Sequence, residues 1–373
     1  MADDRAARLA RALRSEPGTL RVLRAPGRVN LIGDHTDYCE GFVLPLAIDR
    51  DCLVAWRPRA DGRVVARSLD ADGVVDVAAD GTDDPQGVEP RWGGFVAGVA
   101  RALAARGRAP FGFDAAVAST VPLGSGLSSS SALAVVLTLA AAEAGKLTLE
   151  ARDAAQAALD AEVLATGVPG GLMDQLTSLL GRRDHALLID CRSLSVEPVP
   201  LPATHAVLVV HSGLPRALAG SAYAQRRADC EAAAERLGLH ALRDARPGQV
   251  AEDPRARHVV SENARVLEAA AALRAGDIDA IGRLMLASHA SLRDDFGVST
   301  PELDLLVELL VELGAVGARL TGAGFGGSVV ALVQRNHADD VAARTVLGYE
   351  KETGRVATAF VARAVDGAGE FCA

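Results

Sequence analysis

The chain has 373 residues, of which 49% are hydrophobic and 23% are charged, and its formal net charge is -9. This length exceeds what one small core needs and predicts two domains in one compact body. The acidic balance argues against a nucleic-acid partner, because phosphate backbones recruit a positive surface.

The five cysteines are scattered along the chain and include no CxxC pair. This pattern is typical of reduced thiols in a cytoplasmic protein, not of a disulfide framework or a zinc site. The N-terminal segment lacks the apolar core of a signal peptide. The longest apolar stretch begins at Ala132 and is too short to span a bilayer, so we expect no membrane partner.

The N-terminal half mixes strand and helix patterns. We interpret residues 24–28 as a basic loop that leads into a short apolar run. Apolar runs and alternation predict strands at 42–48, 52–56, 63–66, 113–119 and 185–190. Helical periodicity predicts helices at 92–106, 129–145, 150–166 and 172–180. The proline-rich stretch around 197–205 marks a domain boundary, which gives domains of residues 1–198 and 199–373.

The C-terminal half shows the same mixture and contains no internal repeat. Its first element is predicted to be a strand at 206–211. Helices are predicted at 217–237, 256–274, 278–291, 301–313 and 337–349. Further strands are predicted at 316–320, 328–333 and 355–361.

Four adjacent polar residues, Asp34, His35, Thr36 and Asp37, follow the first apolar run. A turn alone does not need four such side chains, so the cluster raises the question of what it holds.

The segment VPLGSGLSSSSAL, residues 121–133, connects a predicted strand directly to a long apolar helix. Gly124 and Gly126 let the backbone approach a ligand closely, and the free N–H groups at the helix start attract an anion. A Walker A loop would need a lysine here, and Ser129 stands where a dinucleotide fingerprint needs its third glycine. Two hypotheses stay open, namely a phosphate-binding loop of another design and a serine-capped helix that serves stability alone.

Two carboxylates and a second glycine-rich segment complete the candidate residues. Glu162 lies late in one predicted helix, and the simplest explanation for its charge is a solvated helix face. Asp174 lies in the first turn of the next helix, where the helix dipole stabilises a carboxylate. The segment TGAGFGGSVVAL, residues 321–332, has four glycines before an apolar strand. It predicts either a tight connection between strands or a backbone wall that lies against a ligand.

Taken in order, the motifs resemble those of the GHMP small-molecule kinase family, and within it those of the galactokinases. The matching segments are GRVNLIGDHTDY with GFVLPLAI, then PLGSGLSSSSAL, GGLMDQ and GAGFGGSVVAL. The resemblance implies an α+β fold with an N-terminal ribosomal-protein-S5-like domain and a C-terminal ferredoxin-like domain. The active site would lie in the cleft between them, and the reaction would be the ATP-dependent phosphorylation of the anomeric hydroxyl of galactose.

The resemblance also implies a role for individual residues. Arg28 matches an arginine that stabilises the transition state, and Asp174 matches the residue that accepts the sugar's proton. The implied substrate-binding residues are Asp34, His35, Thr36, Asp37, Gly171 and Tyr223. The implied ATP-binding residues are Gly124, Ser125, Gly126, Leu127, Ser128, Ser129 and Ser130. Ser130 and Glu162 match the ligands of Mg²⁺.

Elementary chemistry is compatible with these roles. Carboxylates and imidazole can hold the hydroxyls of a sugar ring. Phosphoryl transfer requires in-line positioning and cations near the moving group, and Mg²⁺ prefers oxygen ligands. The resemblance thus implies a small-molecule sugar and ATP as partners, and the chain is expected to be a monomer or a weak homodimer.

Four positions depart from the galactokinase pattern, one of which, Ser328 in place of a common Cys, does not bear on the sugar. Asp34 stands where galactokinases usually carry Glu, and Cys39 and Glu40 replace small or amide residues. These departures leave the sugar open, with N-acetylgalactosamine, arabinose or mannose as alternatives to galactose. A non-catalytic sugar sensor is a further hypothesis, and the intact serine loop, Glu162 and Asp174 argue against it.

Overall fold

The computed structural model describes residues 4–14, 20–214 and 219–371. The elements of the first part of the chain are α1 (Arg5–Ala12), β1 (Arg21–Asn30), β2 (Phe42–Val43), β3 (Pro45–Arg59), β4 (Arg63–Ser68), β5 (Val74–Ala78), α2 (Gly93–Ala104), β6 (Gly112–Ser119), α3 (Ser129–Ala144), α4 (Ala151–Thr166), α5 (Met173–Leu180), β7 (His185–Asp190) and β8 (Ser195–Pro200). The elements of the second part are β9 (His205–His211), α6 (Ala219–Arg236), α7 (Pro254–Ala275), α8 (Ile278–Ser291), α9 (Pro301–Glu312), β10 (Gly317–Thr321), β11 (Ser328–Gln334), α10 (Ala338–Thr353), β12 (Thr358–Ala362) and β13 (Gly369–Glu370).

A six-stranded sheet forms the first half, in the order β13-β1-β3-β6-β4-β5. β1 pairs antiparallel with β3, with a register shift between Pro26 and Arg28, and β4 pairs parallel with β6. Helix α3 packs on β1 and β3, and its continuous run of small and apolar residues is buried there. The sheet therefore holds Arg28, at the end of β1, close to the start of α3.

A four-stranded antiparallel sheet forms the second half, in the order β10-β11-β9-β12. Its core includes Phe296, Leu306 and Tyr349, each fully buried. A short three-stranded sheet, β2-β7-β8, joins the turn after β1 to the end of the first half. The α+β class expected from the sequence is confirmed.

The predicted domain boundary remains a prediction. The boundary after residue 198 falls inside β8. The last part of the chain also returns to the first sheet, where β13 pairs with β1 and Ala364 bridges to Ile48. Each half of the sequence thus supplies the central elements of one sheet, and the C-terminal segment ties the two together.

Several elements have no counterpart in the sequence predictions: α1, β1, β5, β8 and β13. The interpretation of residues 24–28 as a loop is wrong, because they lie within β1. This strand carries Arg24, Pro26, Gly27 and Arg28, which obscure the alternation of a strand, and its pairing with β3 stabilises it. The start of the helix predicted at 217–237 falls on residues outside the described part, and α6 is observed from Ala219 to Arg236.

No helix in the described ranges combines the length and the apolar character needed to cross a membrane.

Candidate active site

A cavity of about 400 Å³ opens where four loops meet. These are the turn after β1, the glycine-serine loop before α3, the segment between α4 and α5, and the loop between β10 and β11. The predicted site residues that line it are Arg28, Asp34, His35, Asp37, Gly124, Gly126, Ser128, Ser129, Ser130, Glu162, Gly171, Asp174 and Tyr223.

Arg28 and Asp174 form a bidentate ion pair in this cavity. The Nε and Nη2 atoms of Arg28 lie 2.7 and 2.9 Å from the two carboxylate oxygens of Asp174, and Nη1 donates to the carbonyl of Gly126 at 2.6 Å. Burial opposes the charge of Arg28, but Asp174 and Asp34 outweigh it, so the pKa of Arg28 is raised. The pair places a fixed positive charge beside the glycine-serine loop.

The glycine-serine loop also contacts Asp174 directly. Ser128 adopts the left-handed conformation, with φ 60° and ψ 46°, immediately before α3. Its hydroxyl donates to Oδ2 of Asp174. An aspartate in the first turn of α5 is thereby joined to the N-terminus of α3, where an anion is stabilised by free N–H groups and the helix dipole.

Glu162 lies on α4 at the same end of the cavity. One of its carboxylate oxygens accepts from Ser131 Oγ at 2.9 Å and from Gln175 Nε2 at 2.8 Å. Burial raises the pKa of Glu162, a hydrogen bond from Ser130 lowers it, and the nearby charge of Asp174 raises it further, for a net increase. The protein only partly compensates the negative charge of Glu162, so a cation bound there would stabilise it.

The donor set fits Mg²⁺ better than a softer metal. Glu162 and the hydroxyls of Ser130 and Ser131 are oxygen ligands, which Mg²⁺ prefers. Within the described residues, no group of three or more His, Cys, Asp and Glu side chains could hold a metal ion. The side chains here suit an ion that takes its remaining ligands from phosphates and water.

Asp37 faces Asp174 from the turn after β1. Burial and the charge of Asp174 raise the pKa of Asp37 to about 7. The carboxylate packs so tightly against Gly171 that a Cβ on this glycine would lie 2.1 Å from Oδ2 of Asp37. Gly171 is therefore required for the position of Asp37, which explains why a glycine stands there.

His35 is buried and neutral. Burial lowers its pKa to about 3. Its Nε2 lies 3.2 Å from the carbonyl oxygen of Ala323, which can only accept, so Nε2 carries the proton. Its Nδ1 then accepts from the hydroxyl of Tyr38 at 2.9 Å. The ring of Tyr223 lies 5.6 Å from the His35 ring, centroid to centroid, and forms part of the same wall.

Asp34 is 2% exposed, and both of its carboxylate oxygens have a protein partner. Oδ1 accepts from the backbone N–H of Gly322 at 3.0 Å, and Oδ2 lies 2.7 Å from Nη2 of Arg319. Burial raises the pKa of Asp34 although Arg319 and Arg28 oppose the shift. Each oxygen keeps a lone pair for a further hydrogen bond.

Three predicted site residues do not line the cavity. The hydroxyl of Thr36 lies 2.9 and 2.7 Å from the carbonyl oxygens of Gly33 and Phe42, so it closes the turn instead of facing the cavity. Ser125 is buried and donates to the carbonyl of Pro122 at 2.7 Å, and Leu127 packs in the core. The side chains of these residues support the loops, because their hydrogen-bonding or apolar groups are already used.

Sequence reasoning missed other residues of the cavity wall. Ser131 and Gln175 directly follow predicted residues in two of the motifs, so a signal for them was present. Gly322 and Ala323 belong to the glycine-rich segment interpreted as a possible backbone wall, and they do line the cavity. Arg319 and Glu262 lie behind Asp34 in a strand and a helix with ordinary patterns, and no local signal identifies them.

Three family models match the chain. The galactokinase galactose-binding signature matches residues 11–58, the GHMP kinase N-terminal domain matches 94–182, and the GHMP kinase C-terminal model matches 269–346. The fold also resembles a mevalonate kinase from Methanococcus jannaschii, with a TM-score of 0.69 at 17% identity over 94% of this chain and 100% of that chain. The fold is that of a GHMP small-molecule kinase.

Proteins of higher sequence identity show which family of GHMP kinases the chain belongs to. The chain is 47% identical over 365 residues to a galactokinase of Roseiflexus sp. (strain RS-1), covering 93% of this chain and 92% of the relative. It is 47% identical over 369 residues to a galactokinase of Chloroflexus aurantiacus, covering 94% and 93%. The crystal structure of Lactococcus lactis galactokinase complexed with galactose matches with a TM-score of 0.92 at 30% identity, covering 98% of both chains. The chain belongs to the galactokinase family.

Proposed function

We propose that this chain transfers the γ-phosphoryl group of ATP to the anomeric hydroxyl of galactose. The observation that carries the proposal is the position of Asp174, which contacts Arg28 and Ser128 and faces Asp37 in one cavity. One carboxylate thus joins the glycine-serine loop to the polar turn after β1. The galactokinase relatives, and the complex of the Lactococcus lactis galactokinase with galactose, support the choice of sugar.

The phosphate side is assigned to the loop before α3. Gly124, Gly126, Ser128, Ser129 and Ser130 line the cavity at the start of that helix. Their backbone N–H groups and hydroxyls would hold the phosphates of ATP, and the dipole of α3 favours the negative charge. Ser130 and Glu162 would hold Mg²⁺, which neutralises charge on the transferred phosphoryl group.

The transfer itself requires an oriented hydroxyl and a place for its proton. The oxygen of the anomeric hydroxyl bonds to the γ-phosphorus, the bond from that phosphorus to the bridging oxygen breaks, and ADP leaves. Asp174 would orient the hydroxyl and accept its proton. Arg28, which is fixed to Asp174 and to the loop carbonyl of Gly126, would stabilise the charge that develops.

The sugar side is assigned to the turn after β1 and its neighbours. The cavity is lined here by two carboxylates, Asp34 and Asp37, and by the buried neutral ring of His35. Its wall is completed by Gly171 and Tyr223. Thr36 is left out as a direct ligand because its hydroxyl is bound to the turn. We propose that Thr36 stabilises the conformation of the turn.

A steady-state assay of ADP release tests the proposal. The wild-type chain is incubated with Mg²⁺ and ATP and with galactose, N-acetylgalactosamine, arabinose or mannose. The highest kcat/KM is expected with galactose. A higher kcat/KM with another sugar would overturn the assigned substrate, and sugar binding without turnover would support a sensor.

The proposal includes a cytoplasmic location and a monomer or weak homodimer. Four cysteines of the described residues are free thiols, which suits a reducing compartment: Cys39, Cys52, Cys191 and Cys230. Light scattering coupled to size-exclusion chromatography measures the oligomeric state. A stable assembly larger than a dimer would contradict this part of the proposal.

A further inference from the structure

Arg319 lies behind the wall of the cavity and not in it. It is located on β10, its side chain is fully buried, and its Nη2 lies 2.7 Å from Oδ2 of Asp34. From this geometry we infer that Arg319 is a positioning residue for the sugar, which acts through Asp34. The inference rests on the proposed function of the cavity.

The guanidinium of Arg319 is fixed on a second side. Its Nη1 lies 3.2 Å from the carbonyl oxygens of both Asn30 and Leu31, at the end of β1. The same region is tied to β10 by Thr321, whose hydroxyl donates to the carbonyl of Asn30 at 3.0 Å. Arg319 therefore fixes the carboxylate of Asp34 relative to the strand that carries Arg28.

A second buried carboxylate, that of Glu262, binds the turn after β1. Glu262 on α7 is fully buried, and its Oε1 lies 3.9 Å from Nη2 of Arg319. The same oxygen accepts from the N–H of Gly33 at 2.9 Å, and Oε2 accepts from Arg265 Nε at 2.6 Å. Two cations thus balance two carboxylates in this cluster, and removal of one cation leaves a buried anion unpaired, which is costly.

The orientation of Asp34 follows from these contacts. Arg319 holds Oδ2 and the N–H of Gly322 holds Oδ1, so the direction of the remaining lone pairs is set before a ligand arrives. A sugar hydroxyl that binds Asp34 meets a preoriented acceptor and bears little ordering cost. Without Arg319 the carboxylate would turn or take up a proton, and sugar affinity would fall.

An arginine suits this position better than a lysine. One planar guanidinium reaches two carbonyls and a carboxylate at once, whereas an ammonium group acts as a compact point charge. We expect Arg319→Lys to keep the charge but hold Asp34 less firmly. This variant should therefore lie between the wild type and Arg319→Met.

The test compares KM for the sugar, KM for ATP and kcat in Arg319→Met and Arg319→Lys. We expect Arg319→Met to raise KM for galactose by roughly 10-fold to 100-fold while KM for ATP changes less than about threefold. On an Asp34→Asn background, Arg319→Met should cause no further rise, because the carboxylate that Arg319 positions is already gone.

Arg108→Met is the matched control. Arg108 is also buried, and it donates to the carbonyls of Ala79, Ala141 and Phe111 at 3.0, 2.6 and 2.6 Å, away from the cavity. This substitution should lower the thermal unfolding midpoint without changing KM for galactose. If Arg319→Met fails to fold, Arg319→Lys and the same Asp34→Asn cycle provide the comparison.

Two results would overturn the inference. One is an unchanged KM for galactose in both Arg319 variants, and the other is an equal rise in KM for galactose and for ATP. The proposed function fails separately, in the wild-type assay, if another sugar is preferred. The same variants measured with that preferred sugar then still decide whether Arg319 positions it.

Discussion

The two sides of the cavity differ in how their residues are held. On the sugar side, Asp34 and His35 are 2% and 4% exposed, and their polar atoms already bind the protein. On the phosphate side, Ser129 and Ser130 are half-buried, and Leu123, in the loop that precedes them, is 79% exposed. The difference fits the proposed assignment, in which rigid, preoriented groups select the sugar and the N–H donors of an open loop hold the phosphates.

Two glycines illustrate this contrast. Gly124 in the phosphate loop has φ +69°, and a Cβ there would meet no atom within 4 Å, so backbone conformation alone requires glycine. Gly171 on the sugar side is required by the closeness of Asp37. The loop needs conformational freedom, whereas the sugar side needs space at one defined point.

The largest expected effect comes from Asp174, which belongs to both sides. In Asp174→Asn we expect kcat to fall about 10³-fold, because the group proposed to accept the proton loses its charge with little change in volume. Calorimetric titration should still detect binding of ATP and of galactose.

Asp366→Asn is the control for that change. Asp366 forms an exposed ion pair with Arg183 at 3.3 Å, neither residue lines the cavity, and the loss of this pair should leave kcat unaltered. An Asp174→Asn variant that kept more than a tenth of the wild-type kcat would contradict the role assigned to Asp174.

The next largest effect is expected on the phosphate side of the cavity alone. Glu162→Gln should raise the Mg²⁺ concentration needed for half-maximal rate by about tenfold or more, because a charged oxygen ligand is lost. KM for galactose should stay near the wild-type value. Titration of Mg²⁺ at fixed ATP measures the effect, with Glu143→Gln at a partly exposed ion pair as control. An unchanged Mg²⁺ requirement would remove Glu162 from the proposed metal site.

A smaller effect isolates the sugar side. Gly171→Ala should raise KM for galactose roughly tenfold, because the added methyl group displaces the carboxylate of Asp37. Gly170→Ala is the neighbouring control, since a Cβ there would make an ordinary 3.5 Å contact with Leu159. Equal KM values in the two variants would show that the position of Asp37 does not matter for the sugar.

The smallest expected effect is a pH dependence of sugar binding. With a pKa of about 7, Asp37 loses its charge as the pH falls towards 6. If the anion accepts a sugar hydroxyl, KM for galactose should rise by at most about tenfold between pH 8 and pH 6, because the ionised fraction of Asp37 falls by that factor. Asp37→Asn should have a KM that is flat over this range, and a wild type with an equally flat profile would contradict the assignment.

The same carboxyl also affects stability, with a defined sign. The pKa of Asp37 in the folded protein, about 7, lies above its ordinary value of 3.8, so the folded state holds this proton more tightly than the unfolded state. Its contribution to the free energy of unfolding is complete below about pH 4 and is lost as the pH rises to about 7. Thermal unfolding midpoints of the wild type and Asp37→Asn, compared across this window, measure that loss.

Much of the candidate site was within reach of the sequence. The motifs around Arg28, Ser128, Glu162 and Asp174 are local, and each lies on the cavity that the structure forms. Most helices were predicted within a few residues, since an apolar stripe of helical period is a local property. The strand β1 was missed because its arginines, Pro26 and Gly27 disguise it, and only its long-range partners β3 and β13 stabilise it.

The sequence by itself thus determined the family, the main helices and the residues that carry the proposed chemistry, because these are encoded in short segments. Only the tertiary structure decided that Thr36 faces its own turn and that Arg319 stands behind Asp34, 285 positions away along the chain. The physical reason is that a buried charge takes its partner from whatever element packs against it. That packing follows from the whole fold and from no local pattern.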